Sequence, residues 1–449
     1  VLASSRFPFA MAKDDLLPHF MSRIHFKHLT PYITIIITCV TMAFVIVFLD
    51  VVKIAKLASA FKVLIFILVN LCVIVLRETS AQWYNPPYRS PLYPYVQLFG
   101  IASGLILLIF LGMIPLLVIV GIIILGTLIY IRYGKNATRT GVIKKYGHRP
   151  ALFLLYNKRT KKRVLKSKSN QFENSNFDGK FLEDSGVVIP LLGNETSPEM
   201  LVEIAAAINK KEKIQAINLT EVPNQTFLDA FDDTNPKIKS IERRISRLAK
   251  SNNINVDFEA AVTHDLSKTI HDLSDQLHCD WLVMGWNGRL HNGILVSNPI
   301  GWLVTHINSD FALFKDNGVR HIGKVLIALR PGGKHKNIIA VADRISQFYK
   351  ADLTLLQVLP VNTNDEIVEN IKIEVQEKLA KTITKTEFII QKNDDSIDTI
   401  SKISAGYDLL IVGTPQRNNW IKVLFGTGKD RFAEKSACSV LRLTIKENE

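Results

Sequence analysis

Two short stretches, Cys279-Asp-Trp-Leu-Val-Met-Gly285 and Tyr407-Asp-Leu-Leu-Ile-Val-Gly413, each set an Asp ahead of an apolar run that ends in glycine. A glycine there suits a backbone leaving the carboxyl end of a buried parallel strand, where open α/β sheets place their ligands. The chemistry on offer is binding, with backbone N–H groups approaching an anion, rather than bond making. Other reactive side chains are arranged less usefully. His264, His271 and His278 recur every seven residues along what reads as one helix face, but seven helical residues cover about 10 Å. One ion cannot bridge that distance, and a helical metal pair wants a spacing of three or four. They read as surface or sheet-facing histidines, with Asp272 and Asp275 on the same exposed stripe. Cys39, Cys72, Cys279 and Cys438 show no C-x-x-C spacing, and no Ser-His-Asp or H-E-x-x-H arrangement stands out. No metal site and no enzyme are expected.

The elements that would position these glycines follow from the periodicity after residue 185. Short β-branched runs alternate with amphipathic helices, the pattern of a parallel sheet covered by helices. Strands are predicted at Val187–Leu192, Ile214–Val222, Ile254–Val262, Trp281–Trp286 and Phe311–Lys315. The order then repeats at Val325–Leu329, Leu353–Val358, Thr384–Gln391, Leu409–Val412 and Val440–Ile445. The internal repeat fixes the unit as five strands and gives two α/β domains, 185–318 and 322–449. Thr196-Ser-Pro-Glu199 reads as a capping box with proline in the first turn of the first helix.

The first 150 residues have another character. Of the 449 residues, Lys and Arg number 55 and Asp and Glu 41, a net charge of +14. Residues 1–150 hold 15 basic and 4 acidic residues, whereas 185–449 hold 32 and 33. A nucleic-acid-binding domain should carry its own basic face, and the C-terminal half as a whole does not. The basic excess instead flanks uncharged apolar runs, and Val96–Ile131 contains no Asp, Glu, Lys, Arg or His. One span needs about 20 residues, so that run is two spans, with a hairpin at Gly112-Met-Ile-Pro115. Four spans result, at 31–50, 59–77, 95–112 and 114–132, within a membrane region 1–133.

The positive-inside bias puts both ends in the cytosol, with only Lys53, Lys56 and Lys62 on the far side. Asn70 lies mid-span, where an interhelical hydrogen bond is its commoner use. Gly100-x-x-x-Gly104 permits close helix packing, and Tyr84 to Tyr95, with four prolines, is a stiff cytosolic loop. A basic linker, 134–184, follows the spans; Lys158-Arg-Thr-Lys-Lys-Arg163 suits either anionic headgroups or a solvated connector. Ala151–Tyr156 offers a short strand. With no initiator Met, and Val1-Leu-Ala-Ser reading as the tail of a helix, the chain is expected to be a fragment.

Particular residues carry a family resemblance. Val1-Leu-Ala-Ser-Ser-Arg-Phe-Pro-Phe-Ala-Met-Ala-Lys-Asp-Asp-Leu-Leu-Pro18 resembles the cytosolic stretch after the eighth span of amino acid–polyamine–organocation permeases, with Asp15 where glycine is usual. Phe66–Glu78 and Pro87–Pro94 are similar to the tenth span and its following loop. The resemblance implies spans nine to twelve of a twelve-span, LeuT-like secondary transporter. Its small-molecule substrate would be held in upstream spans and driven by a proton or sodium gradient, so no substrate-binding residue is named here. Amino acids or related organic cations are the expected substrates. The alternatives are an inorganic-ion carrier of the same superfamily, for cation-chloride or potassium transport, and a membrane-tethered nucleotide sensor.

The α/β repeat resembles a tandem of universal stress protein domains, here in a cytosolic regulatory role, with a homodimer through them left open. Nucleotide-binding members show Gly-x-x-Gly-(nine residues)-Gly-Ser/Thr after the fourth strand and an acidic residue after the first. The first copy keeps Gly285 and Gly288 but has Asn298-Pro299 for the Gly-Ser and Leu192-Gly193-Asn194 at the acidic position. The second keeps Gly413, Gly426 and Thr427, has Gln416 for the second glycine, and has Arg330 before Pro331-Gly332-Gly333. Arg330, Gly332, Gly413, Gln416, Gly426 and Thr427 are therefore the candidate site for ATP or another adenine nucleotide, and the first copy is degenerate. The expected location is the inner or plasma membrane, multi-pass.

Overall fold

The computed structural model describes residues 2–24, 30–133, 185–223, 235–286, 306–330, 336–413 and 431–445, apart from short gaps at 80, 85, 89, 194, 210–212 and 381, with a few positions between these stretches. Two compact units result, one made almost wholly of Val1–Ile143 and the other of the residues that follow. The linker 134–184, with Lys158–Arg163 and the strand expected at 151–156, lies outside the described residues.

The N-terminal unit is helical: α1 (Leu2–Lys13), α2 (Tyr32–Phe48), α3 (Val51–Thr79), α4 (Tyr95–Phe110) and α5 (Met113–Tyr133). α3 and α5 are long and apolar enough to cross a membrane; α2 and α4 are shorter apolar helices. Large side chains such as Phe44, Val47 and Phe110 stand exposed on them, which in water would forfeit the gain of burying apolar surface. Gly112 turns α4 into α5 with φ +107°, a conformation that favours glycine. α3 starts at Val51, eight residues before the expected span, so Lys53 and Lys56 lie on the helix, with Lys62, rather than in a loop. Only Leu49 and Asp50 separate it from α2.

α3 and α4 pack through the glycine stripe. A Cβ on Gly104 would lie 2.6 Å from Ile67 Cγ1, and one on Gly100 3.1 Å from Asn70 Nδ2. The mid-span position of Asn70 predicts a bond across helices, but among the described residues it makes none. Its Nδ2 donates to the Phe66 carbonyl at 2.9 Å, one turn back in α3. Gly100 leaves room for the amide, and the i−4 carbonyl already satisfies it. Beyond α3, Tyr93 donates its hydroxyl to Glu78 Oε1 at 2.8 Å while the Arg77 guanidinium lies 4.8 Å over its ring. Burial, reinforced by the Glu78 carboxylate, pushes the Tyr93 phenol up, so it stays a donor.

The second unit is α/β. Its strands are β1 (Val187–Leu191), β2 (Lys213–Glu221), β3 (Asn255–Thr263), β4 (Trp281–Gly285), β5 (Asp310–Lys315), β6 (Lys324–Leu329), β7 (Asp352–Leu359), β8 (Thr386–Lys392), β9 (Leu409–Gly413) and β10 (Ser439–Thr444). They form one sheet in the order β3-β2-β1-β4-β5-β10-β9-β6-β7-β8. Every neighbouring pair is parallel except β5 and β10, which run antiparallel and join the two halves edge to edge.

Helices α6 (Pro198–Ile208), α7 (Pro236–Asn252), α9 (Lys336–Tyr349) and α10 (Asp365–Leu379) pack into a core that runs through both halves. α8 (Leu266–Gln276), α11 (Ser396–Ile403) and the short α12 (Arg431–Lys435) line two further apolar clusters. Tyr349 of α9 donates its hydroxyl to Glu203 of α6 at 3.2 Å, tying the halves.

The capping box expected at Thr196–Glu199 does not form. Ser197 is the N-cap of α6 and makes no side-chain cap bond. The Glu199 carboxylate is instead forked by Arg244, whose Nε and Nη2 both donate to it, the latter at 2.6 Å. A bidentate guanidinium outcompetes a single backbone N–H.

The paired aspartates ahead of β4 and β9 lie at the amino ends of the strands, away from the candidate glycines. Asp408 Oδ2 accepts the N–H groups of Gly323 and Lys324, each at 2.9 Å, clamping the start of β6. Asp408→Ala is expected to cost about 2 kcal/mol, read as a lower denaturant midpoint at unchanged slope. An unmoved midpoint would show that the clamp is idle.

Candidate functional site

In each half the strand order reverses between the first and fourth strands, β1/β4 and β6/β9, and the carboxyl ends beside that reversal form the crevice where such sheets take ligands. In the first half the β1–β4 ladder covers only Val187–Trp281 and Val188–Leu282; Pro190 has no N–H to extend it. The crevice is not left to a ligand. Glu195 Oε1 accepts the Leu192 N–H at 2.5 Å, and its Cγ lies 3.0 Å from where a Cβ on Gly285 would sit, with Leu201 Cδ1 at 3.4 Å. A carboxylate thus occupies ground that a phosphate would need, and like charges at that range repel.

The second half is built with the opposite sign. β6 pairs with β9 from Val325–Leu409 to Ala328–Val412, which brings Arg330 and Gly413 to adjacent strand ends. Gly413 lies close to α9: a Cβ there would be 2.7 Å from Ile338 Cδ1, a side-chain end in the first turn that can move aside. The start of α9, the positive end of its dipole, therefore lies beside the Gly413 end of β9. Arg442 of β10, 8% exposed, donates Nη1 to the Gly413 carbonyl at 3.3 Å. The Arg442 guanidinium thus stands beside Gly413, with Arg330 at the end of the adjoining strand and the start of α9 next to it, where the first half has Glu195 beside Gly285.

Of the sequence candidates, Arg330, Gly413 and Gly285 are described, and Arg330 and Gly413 come together. Gly332, Gln416, Gly426, Thr427 and Gly288 lie outside the described residues, as do Asn298 and Pro299. Arg442 and Glu195 were missed by sequence reasoning. Arg442 had a signal: it is the lone charge in its strand, where the matching position of β5 is Leu313.

The histidines do not share a helix face. α8 ends before His278 and begins after His264, so only His271 lies on it. His271 is buried, with Nδ1 3.6 Å from Asp272 and 3.7 Å from Asp275, both partly buried. His264 Nδ1 lies 3.3 Å from the Val222 carbonyl. Among the described residues no cluster of three His, Cys, Asp or Glu could hold a metal. Cys279 and Cys438 are buried; burial pushes the Cys438 thiol up to about 11 and raises that of Cys279. Since the thiolate is the nucleophile, both are expected to react with an aromatic disulfide at pH 8 only after denaturation. Fast native labelling of either would contradict this.

Residues 1–144 match the family model described as amino acid permease. The branched-chain amino acid permease BcaP of Bacillus subtilis strain 168 is 27% identical over 135 residues, 30% of this chain and 29% of that protein. The chain therefore spans less than a third of that relative's length.

Among solved structures, a putative universal stress protein from Pseudomonas aeruginosa UCBPP-PA14 is similar at 15% identity and TM-score 0.42, covering 58% of this chain and 93% of that one. The cytoplasmic domain of a prokaryotic cation chloride cotransporter is similar at 12% identity and TM-score 0.39, covering 58% and 95%. In this chain a stretch that matches the amino acid permease family model, residues 1–144, precedes an α/β region similar in fold to universal stress proteins.

Proposed function

We propose that this chain is part of a secondary active transporter for amino acids, with the α/β unit as its cytosolic regulatory module. The permease family match over residues 1–144 carries the reading, and the apolar helices exposed in that unit support it. The four helices α2 to α5 would be membrane spans with both ends in the cytosol. Transport would follow alternating access, coupled to a proton or sodium gradient. An inorganic-ion carrier of the same superfamily is the runner-up.

Uptake of labelled amino acids into vesicles, by the complete transporter and by a form ending before residue 185, tests both parts. Substrate-dependent uptake whose rate or affinity changes on truncation supports the proposal. Uptake of inorganic ions alone would favour the runner-up, and uptake indifferent to truncation would remove the regulatory role.

A second reading, nucleotide sensing, is favoured by the two arginines and the α9 N-terminus at the second crevice. In this reading the ligand is an adenine nucleotide at Arg330, Gly413 and Arg442. Isothermal titration of ATP into the detergent-solubilised chain should give heat that Arg330→Ala weakens about tenfold, the loss expected for one charge-assisted pair. No heat at millimolar ATP ends this reading.

A further inference from the structure

α7 carries a one-sided basic stripe. Its Ile241, Ile245 and Leu248 pack into the core, Ile245 being 1% exposed. At 3.6 residues per turn, Lys239, Arg243, Arg247 and Lys250 project from the opposite side as one row about 16 Å long, and all four are exposed, as is Lys237. Glu242 is the only acid on the helix. Arg243 and Arg247 stand at i, i+4, a like-charge spacing that weakens an isolated helix. Among the described residues, the ion pair on α7 is that of Arg244, at the stripe's flank, with Glu199.

α10 occupies the matching place in the second half and handles its charge differently. There Lys372 pairs with Glu369 at 3.1 Å, Lys378 with Glu374 at 2.6 Å, and Lys392 of β8 with Asp365 at 2.7 Å. α10 carries five acids against two lysines and pairs both lysines, so of these two helices α7 alone presents an unpaired basic row among the described residues. Glu366 and Glu377 of α10 stand outside these pairs, so a second copy is the rival occupant that the experiment must separate from lipid.

We propose that the Lys239–Lys250 face of α7 docks on an anionic lipid headgroup surface. The proposal rests on the reading of the chain as membrane-embedded. A module tethered to its own spans meets the bilayer at high effective concentration, so a contact that acts only within a Debye length suffices. The helix need not insert, since its apolar face is committed to the sheet. The charge complements a leaflet bearing anionic lipid and has no complement in a neutral one.

The test uses the full chain in nanodiscs of phosphatidylcholine with or without phosphatidylglycerol, and reads lysine acylation by mass spectrometry against the exposed Lys385 as internal reference. Lys239 and Lys250 are expected to react about threefold more slowly in the anionic discs. High salt or the double variant Arg243→Gln, Arg247→Gln should abolish that protection. Equal reactivity in both discs overturns the proposal. So does protection that appears in neutral discs and grows with protein concentration, which would assign the face to a second copy. If the chain fails to stay with the discs, the transporter reading falls instead, and acylation with added vesicles of the two compositions still decides this proposal.

Discussion

Replacing Phe314 by alanine is expected to destabilise the α/β unit by about 3–5 kcal/mol and to unfold both of its halves together. Phe314 is 2% exposed on β5, the strand that pairs with β4 on one side and with β10 on the other. It belongs to the core that includes residues of α6 and α7 from the first half and of α9 and α10 from the second. A cavity there removes contacts from both halves, and the sheet offers no separate unit to remain folded. Phe314→Leu, which keeps most of the volume, should cost under about 1.5 kcal/mol. Thermal unfolding of the solubilised chain followed by far-UV circular dichroism checks this. A variant showing two transitions, of which only one has moved, would mean that the halves fold independently.

The second large effect is expected in the helical unit. Gly104→Val should force α3 and α4 apart, because Ile67 Cγ1 already lies 2.6 Å from the position of the new Cβ. That atom is the first branch of a 9% exposed isoleucine and cannot swing clear as a chain end could. Overpacking of this kind costs about 1–3 kcal/mol. Gly121→Ala and Gly126→Ala on α5 meet nothing within 4 Å and serve as controls that should leave stability unchanged or raised. The measurement is the detergent melting temperature of each variant. Equal loss at positions 104 and 121 would show that the glycine stripe does not seat α4 on α3.

Much of this architecture was legible because its signals are local. β-branched runs closed by glycine mark β4 and β9 within a residue, and an uncharged run too long for one helix, broken at Gly112, gives α4 and α5. What stayed hidden depends on partners distant in sequence. The capping box failed because Arg244 takes Glu199 from 45 residues away. Asn70 reads as a bridge between helices until the nearby Phe66 carbonyl is seen to satisfy it. The histidine spacing suggested a single face only because the helix ends on either side of His271 were invisible. Glu195, which fills the first crevice, lies three residues beyond Leu192, the expected acidic position, and looks unremarkable in the chain. Arg442 was visible as a charge out of place, but its reason lies in Gly413, brought beside it by the register of β9 and β10.

The antiparallel seam has a consequence for how the two halves could diverge. Arg442 pairs across it with Leu313, and these two positions are also each other's counterparts in the repeat. In an assembly of two identical chains the same residue would face itself there, and a buried guanidinium would meet its twin. Carrying both halves on one polypeptide lifts that constraint, so a single buried cation can be kept opposite a leucine and one crevice can turn positive while the other turns negative.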